Sequence, residues 1–265
     1  MINKFLITGD IHTNFTRFKN YSKEIQQDPH TAIIILGDAG LNWSLDEHDA
    51  QLKNFLSKRY GFYIYCLRGN HEARPQDVPD MKIVYDDNVK NVVYMQDKWP
   101  RIRYFMDYGE YTFDEFSVAV IGGAYSVDKW YRLDNGFRWF KNEMLSQEEM
   151  KSCYDMLCNK TYDFVLSHTC PIEWEPTDLF LPSIDQKSVD KSMEIFLDEL
   201  FQSFNWRVSC FGHYHDDRLV RPHVEMFYND TENINDIWER WDRYDKTGEL
   251  DWWLAKDPHF YFDGE

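Results

Sequence analysis

Five short segments carry residues suited to metal and proton chemistry: GDIHTN at 9–14, GDAG at 37–40, RGNHE at 68–72, SHTCP at 167–171 and GHYH at 212–215. Together they supply Asp10, His12, Asp38, Asn70, His168, His213 and His215. That is enough oxygen and nitrogen for two metal ions sharing one bridging carboxylate. Imidazole and carboxylate suit divalent manganese, iron, zinc, nickel or cobalt, with manganese the favoured expectation. Two such ions, about 3.5–4 Å apart, can clamp the attacking and leaving oxygens of a displacement at phosphorus and lower the pKa of a shared water. His71 is then left over, and a general acid that protonates the leaving oxygen is its natural role. Glu72 or Asp10 could orient it. His30, His48, His223 and His259 lack partner spacing and read as surface or core residues.

The segments need elements to bring them together. Lys4–Thr8 reads as a strand and 14–28 as a helix ending before Pro29; Thr31–Leu36 is a β-branched run typical of a strand buried on both faces. Ser44-Leu-Asp-Glu47 has the pattern of a capping box opening a helix through Arg59, and Phe62–Leu67 is a third strand. This β-α-β-α-β order predicts a parallel sheet with right-handed crossovers. Ligands bind such sheets outside the carboxyl ends of the strands, where these segments lie. The β-like stretches 81–84, 91–95, 101–106, 111–113 and 116–121 predict a second, more antiparallel sheet. After an aromatic- and charge-rich loop at 124–140, a capping box at Ser146 opens a helix to about Cys158. A strand at Asp163–Ser167, a helix at 187–201, a strand at 206–211 and one or two strands within 218–228 follow.

Composition narrows the class. With 265 residues, 43% hydrophobic and 17% aromatic, the chain can bury a full core. Its longest apolar runs are far too short to span a membrane. The start, MINKFLITGD, lacks the apolar core of a signal peptide. Five cysteines at irregular spacing read as reduced thiols, so a cytoplasmic location is expected. A formal charge of −17 argues against a non-specific grip on nucleic acid, which needs basic surface. Residues 230–265 are markedly acidic, and Trp238, Trp241 and Tyr244 recur at a spacing that puts them on one helical face. They are expected to pack on the main body, with an oligomer or partner contact as the alternative. Composition says nothing of oligomeric state.

The five segments, in this order, resemble the calcineurin-like metallophosphoesterase superfamily, with its Asp-x-His, Gly-Asp, Gly-Asn-His-Glu, lone His and Gly-His-x-His. The resemblance implies a four-layer α/β/β/α sandwich with two mixed β-sheets and a dinuclear metal site at the carboxyl edge of the strands. The resemblance runs from residue 9 to residue 215; with the change in composition at 230, residues 1–229 are expected to form the metallophosphoesterase domain and 230–265 an acidic, aromatic-rich extension packed on it. Carried over position by position, Asp10, His12 and His215 would hold one metal, Asn70, His168 and His213 the other. Asp38 would bridge them and His71 would be the acid. Two departures matter. Thr13-Asn14 stand where relatives commonly have glycine. Asp38 is followed by Ala-Gly-Leu-Asn42, without the phosphate-gripping arginine of serine/threonine protein phosphatases.

A phosphodiesterase is therefore favoured over a phosphomonoesterase or phosphoprotein phosphatase, and a non-catalytic binding module is the weakest reading. Arg74 is the expected replacement for the missing arginine, since guanidinium matches phosphate bidentately. Asn14 and Asn42 are further candidates for substrate contact. Tyr125, Lys129, Trp130, Tyr131 and Arg132 of the 124–140 loop could stack on a base and hold a phosphate.

Overall fold

A computed structural model describes residues 1–250; 251–265, with His259, lie outside the described residues. The strands are β1 (Lys4–Thr8), β2 (Thr31–Ile35), β3 (Tyr63–Cys66), β4 (Met81–Asp86), β5 (Asn91–Gln96), β6 (Ile102–Tyr104), β7 (Tyr108–Phe113), β8 (Phe116–Ile121), β9 (Thr161–Ser167), β10 (Asn205–Phe211), β11 (Arg218–Arg221), β12 (Val224–Met226) and β13 (Thr231–Asn233). The helices are α1 (Lys23–Gln27), α2 (Glu47–Arg59), α3 (Lys129–Asp134), α4 (Gln147–Leu157), α5 (Ser192–Phe201) and α6 (Ile234–Thr247).

Two mixed sheets face each other. The first has the order β13-β1-β2-β3-β6-β5-β4, the second β11-β12-β10-β9-β8-β7. β1, β2, β3 and β6 run parallel, as do β8, β9, β10 and β12. Alternation of side chains sorts the layers. Ile34 of β2 meets the inner face of the second sheet through Val118, Val120, Phe164 and Leu166 in one buried cluster. Its neighbours Ile33 and Ile35 turn outward onto Phe18 and Leu56. On the far side, Ala119, Ile121 and Val165 turn outward onto Met150 and Leu157 of α4 and Leu197 and Leu200 of α5. The result is the expected α/β/β/α sandwich. β2 is buried along its whole length, which is why its sequence is an unbroken apolar run rather than an alternating one.

Several local expectations change. β4, β5 and β6 extend the first sheet, and only β7 and β8 join the second. β6 pairs parallel to β3, so the hairpin arm of β4 and β5 is carried into that sheet. The stretch 14–28 is split into a 3-10 turn, Phe15–Asn20, and α1. The cap of α2 is Asp46, whose side chain accepts from the His48 amide, and not Ser44. Ser44 instead donates to the buried Asp49 carboxylate at 2.7 Å. The capping box at Ser146 forms as expected, both of its hydrogen bonds present. α3 lies within the stretch expected to be loop.

Thr231–Asn233 pairs with β1, so the boundary expected at 229/230 falls beside a strand of the first sheet. On α6, Trp241 is fully buried and Trp238 and Tyr244 pack beside it on the inter-sheet core. The Trp241 indole donates to Glu225 Oε1 at 2.6 Å, which satisfies its polar edge.

Candidate metal centre

The motif segments leave the carboxyl ends of five parallel strands: β1, β2 and β3, neighbours in the first sheet, and β9 and β10, neighbours in the second. The backbone knits these ends together. The His12 amide donates to Asp38 O at 2.8 Å, and the Gly212 amide to His168 O at 3.0 Å. The His168 ring closes the two sheets on each other, with Nδ1 2.7 Å from Leu36 O. That contact assigns the Nδ1 proton to the carbonyl and leaves the Nε2 lone pair for a cation.

The glycines of the motifs permit this crowding. A Cβ on Gly37 would lie 2.0 Å from His168 Nδ1, one on Gly69 2.0 Å from Asp38 Oδ1, and one on Gly212 2.4 Å from Asp10 Oδ1. Four non-glycine residues among those expected to bind metal, His12, Asp38, His213 and His215, have positive φ, from 45° to 70°. Such strain collects at functional sites, where the surroundings hold it.

Side chains converge accordingly. His215 Nε2 is 3.2 Å and His12 Nε2 3.5 Å from Asp10 Oδ2, and the two imidazole nitrogens are 2.9 Å apart. Asp38 Oδ2 lies 3.8 Å from His12 Nε2 and 3.7 Å from His168 Nε2. Asn70 Oδ1 is 2.9 Å from His168 Nε2. Its amide nitrogen donates to Ser126 Oγ at 2.9 Å, and Ser126 in turn donates to Glu143, so the amide is turned with its oxygen inward. His213 packs its ring 5.0 Å from that of His168, and its amide donates to Asp10 Oδ1 at 2.9 Å.

Among the described residues, three sets of donors lie close enough to hold a cation: Asp10, His12 and His215; Asp10, Asp38 and His168; and His12, Asp38 and His71. Within each set the donor atoms are within 4.8 Å of one another. Asp10 Oδ2 is buried with no hydrogen-bond partner among the described residues. A buried carboxylate oxygen left unpaired is costly, and a cation would satisfy it. The donor set thus fits divalent metal, with His and carboxylate ligands and Asp38 between two groups of histidines.

Electrostatics agree. Burial alone would raise the Asp10 carboxyl, yet the His12 and His215 rings facing it, with His168 beyond them, hold it well below the usual range. Burial also opposes ionisation of Asp38, but His71 and His168 pull it down. Burial, reinforced by His168, pushes the His213 ring down to about 3, so the imidazole is neutral.

His71 sits at the rim. Its amide donates to Asp38 Oδ1 at 2.7 Å, and its ring stacks on Trp43 with centroids 6.0 Å apart. The side chains facing the ring are not the expected Glu72 or Asp10. Arg132 Nη2 lies 2.5 Å from His71 Nδ1 and 2.7 Å from Nε2, and Asp128 Oδ1 is 3.9 Å from Nε2. Arg132 is itself held by Asp128, four residues earlier at the start of α3, at 2.7 Å, and lies over the Trp43 ring. Burial lowers the His71 pKa, with Arg132 adding to that and Asp38 opposing it. Glu72 is buried beneath the loop, its carboxyl raised to about 8 by burial and Asp38.

The expected substrate residues fare differently. Arg74 has its five N–H donors engaged: Nε on Asn142 O, Nη1 on Asp107 and Glu149, and Nη2 on Met144 O and Glu149. It braces α4 against the sheet and has no donor left for phosphate. Asn42 is buried and accepts from Lys53 Nζ at 2.7 Å, while its carbonyl receives the Ala73 amide. Asn14 is exposed and caps the 3-10 turn by accepting from the Thr16 amide. The arginine that meets the His71 ring is Arg132, from the loop noted for its basic and aromatic residues. The i,i+4 spacing of Asp128 and Arg132 was the available signal for a helix that presents it.

No curated protein matches the chain. Among solved structures, TT1561 of Thermus thermophilus is 12% identical with a TM-score of 0.44, covering 88% of this chain and 98% of that one. A second is 13% identical with a TM-score of 0.44, covering 89% and 96%. The family model described as calcineurin-like phosphoesterase matches residues 3–217, from the first strand to just past the last histidine of the site, and the chain therefore belongs to the calcineurin-like phosphoesterase family.

Proposed function

We propose that this phosphoesterase hydrolyses a phosphodiester at a dinuclear centre, with Asp38 shared between the two ions. Asp10, His12 and His215 would hold one ion, and Asn70, His168 and His213 the other. The observation that carries this reading is the convergence of imidazole and carboxylate atoms from four strand ends, those of β1, β2, β9 and β10, around the buried Asp10 carboxylate. Two divalent cations there would neutralise phosphoryl charge and make water acidic enough to attack at neutral pH.

The chain's own residues supply the rest. His71, which lines the cavity beside the centre, would donate to the leaving oxygen. Arg132, whose guanidinium meets the His71 ring, takes the role sought in Arg74: it grips a phosphoryl oxygen and fixes the ring. Trp43 backs both groups. The five free cysteines support a cytoplasmic setting. Among the described residues no helix is long and apolar enough to cross a membrane.

The test is hydrolysis of bis(p-nitrophenyl) phosphate and p-nitrophenyl phosphate by protein loaded with manganese. Faster turnover of the diester is expected, abolished by a chelator and restored by metal. A folded, metal-loaded sample that hydrolyses neither ester refutes the reading. Faster turnover of the monoester overturns the phosphodiester part alone.

A further inference from the structure

A cavity of about 360 Å³ opens beside the centre, within the range of small-molecule sites. Two unlike walls meet in it. One carries Asp38, Asn70, His71, His213 and His215. The other comes from the turns between β9 and α5 and carries Leu179, Phe180, Leu181, Ile184 and Val189. A phosphoryl group held at the metals has no use for such a wall. Leu179, Phe180, Ile184 and Val189 are only half-buried and Leu181 is 55% exposed, so apolar surface is left facing water beside a polar centre. Covering it would be favourable for a ligand.

The charge of the cavity excludes one kind of ligand. Lys191 is the basic residue of the apolar wall, and its ammonium is bound by Glu175 Oε1 at 2.6 Å and lies 4.6 Å from the Phe180 ring centroid. Around it the cavity presents Asp128, Glu175, Asp190 and Glu194. Glu194 is 3% exposed; its Oε1 accepts from Thr169 at 2.8 Å, and its Oε2 has no partner among the described residues. A second phosphate in this hollow would meet carboxylates and a cation already paired, so polyphosphates and the continuing backbone of a nucleic acid fit poorly.

We infer that the cavity receives the organic group of the phosphoester, and that this group is a compact apolar ring system bearing no further phosphate. The inference rests on the phosphoesterase reading above and narrows its substrate class. The phosphoryl end lies on the metal ligands and His71, and the ring lies against Leu179, Phe180 and Ile184.

Binding of two non-hydrolysable probes separates this inference from the reading it rests on. Methylphosphonate and phenylphosphonate share the headgroup and differ in the group sent to the cavity. Calorimetry on the manganese-loaded full chain should show phenylphosphonate binding at least tenfold more tightly. In Ile184→Asp, and independently in Leu181→Asp, the ratio should fall to about threefold or less at unchanged metal stoichiometry. Equal affinities in the unaltered protein, including no measurable binding of either probe, overturn the inference, as does a preference that survives both substitutions. Turnover of bis(p-nitrophenyl) phosphate by the same sample decides the phosphoesterase reading separately.

Discussion

Gly37→Ala tests whether the crowding of the motif glycines is what holds the centre in shape. Gly37 has φ +102°, a conformation that costs an L-residue about 1–3 kcal/mol. Its new Cβ would also lie 2.0 Å from His168 Nδ1. Ordinary contact begins near 3.4 Å, so the ring must retreat by 3.4 − 2.0 = 1.4 Å. A retreat of that size breaks the 2.7 Å contact of Nδ1 with Leu36 O, worth about 1 kcal/mol. The sum is about 2–4 kcal/mol of stability. A displaced ligand whose outer hydrogen bond is lost should also weaken metal binding by about 10–100-fold. Urea unfolding and metal analysis after dialysis read the two effects. Gly136→Ala is the control: φ is +69°, with nothing described within 4 Å of the added Cβ, so it carries the strain without the clash. Wild-type metal content in Gly37→Ala, or equal metal loss in both variants, would refute the reasoning.

Three further outcomes are expected. Arg132→Ala should lower turnover of the diester about 100-fold or more, as expected for a lost charge-stabilising donor, with metal content intact; unchanged turnover would remove Arg132 from the site. Arg74→Ala should instead cost about 1–3 kcal/mol of stability, because the Asn142 and Met144 carbonyls and Glu149 lose a buried donor while Asp107 keeps Arg68; wild-type stability in denaturant would contradict that bracing role. Burial lowers Lys53 from 10.5 to about 8, so the unfolded chain binds more protons than the folded one between those values. Stability should therefore rise with pH across that window, by about 3 kcal/mol at most, and fall as pH drops through the folded value. Lys53→Met should lack this component, and parallel pH profiles of unfolding for the two proteins would refute it.

Much of the architecture is legible in the chain because local physics dictates it. The β-branched run from Thr31 reads as a strand buried on both faces, and Thr31–Ile35 is one. Ser146 and Glu149 cap each other within one turn. Trp238, Trp241 and Tyr244 share a helical face whatever that face meets. The sheet to which β4, β5 and β6 belong is not legible in this way. It depends on β6 pairing with β3, a contact between strands far apart in sequence. Ser44 shows the same limit locally: its capping pattern is outcompeted by the buried Asp49 carboxylate, which only the folded loop brings within reach.

The candidate site divides the same way. Residue type and order alone brought out Asp10, His12, Asp38, Asn70, His168, His213 and His215, because metal chemistry restricts the side chains that can serve and strand ends restrict where they stand. Spacing could not say which arginine reaches the centre. Arg74, near the motif in sequence, is captured by Asp107 and Glu149, whereas Arg132, sixty-one residues from His71, lies against its ring. An ionisable side chain goes to the partners that the folded chain puts within reach. The choice of candidate donor residues was therefore a property of the sequence, while the contacts around His71 and the apolar wall beside it were decided only when two sheets and the loops between them closed on one another.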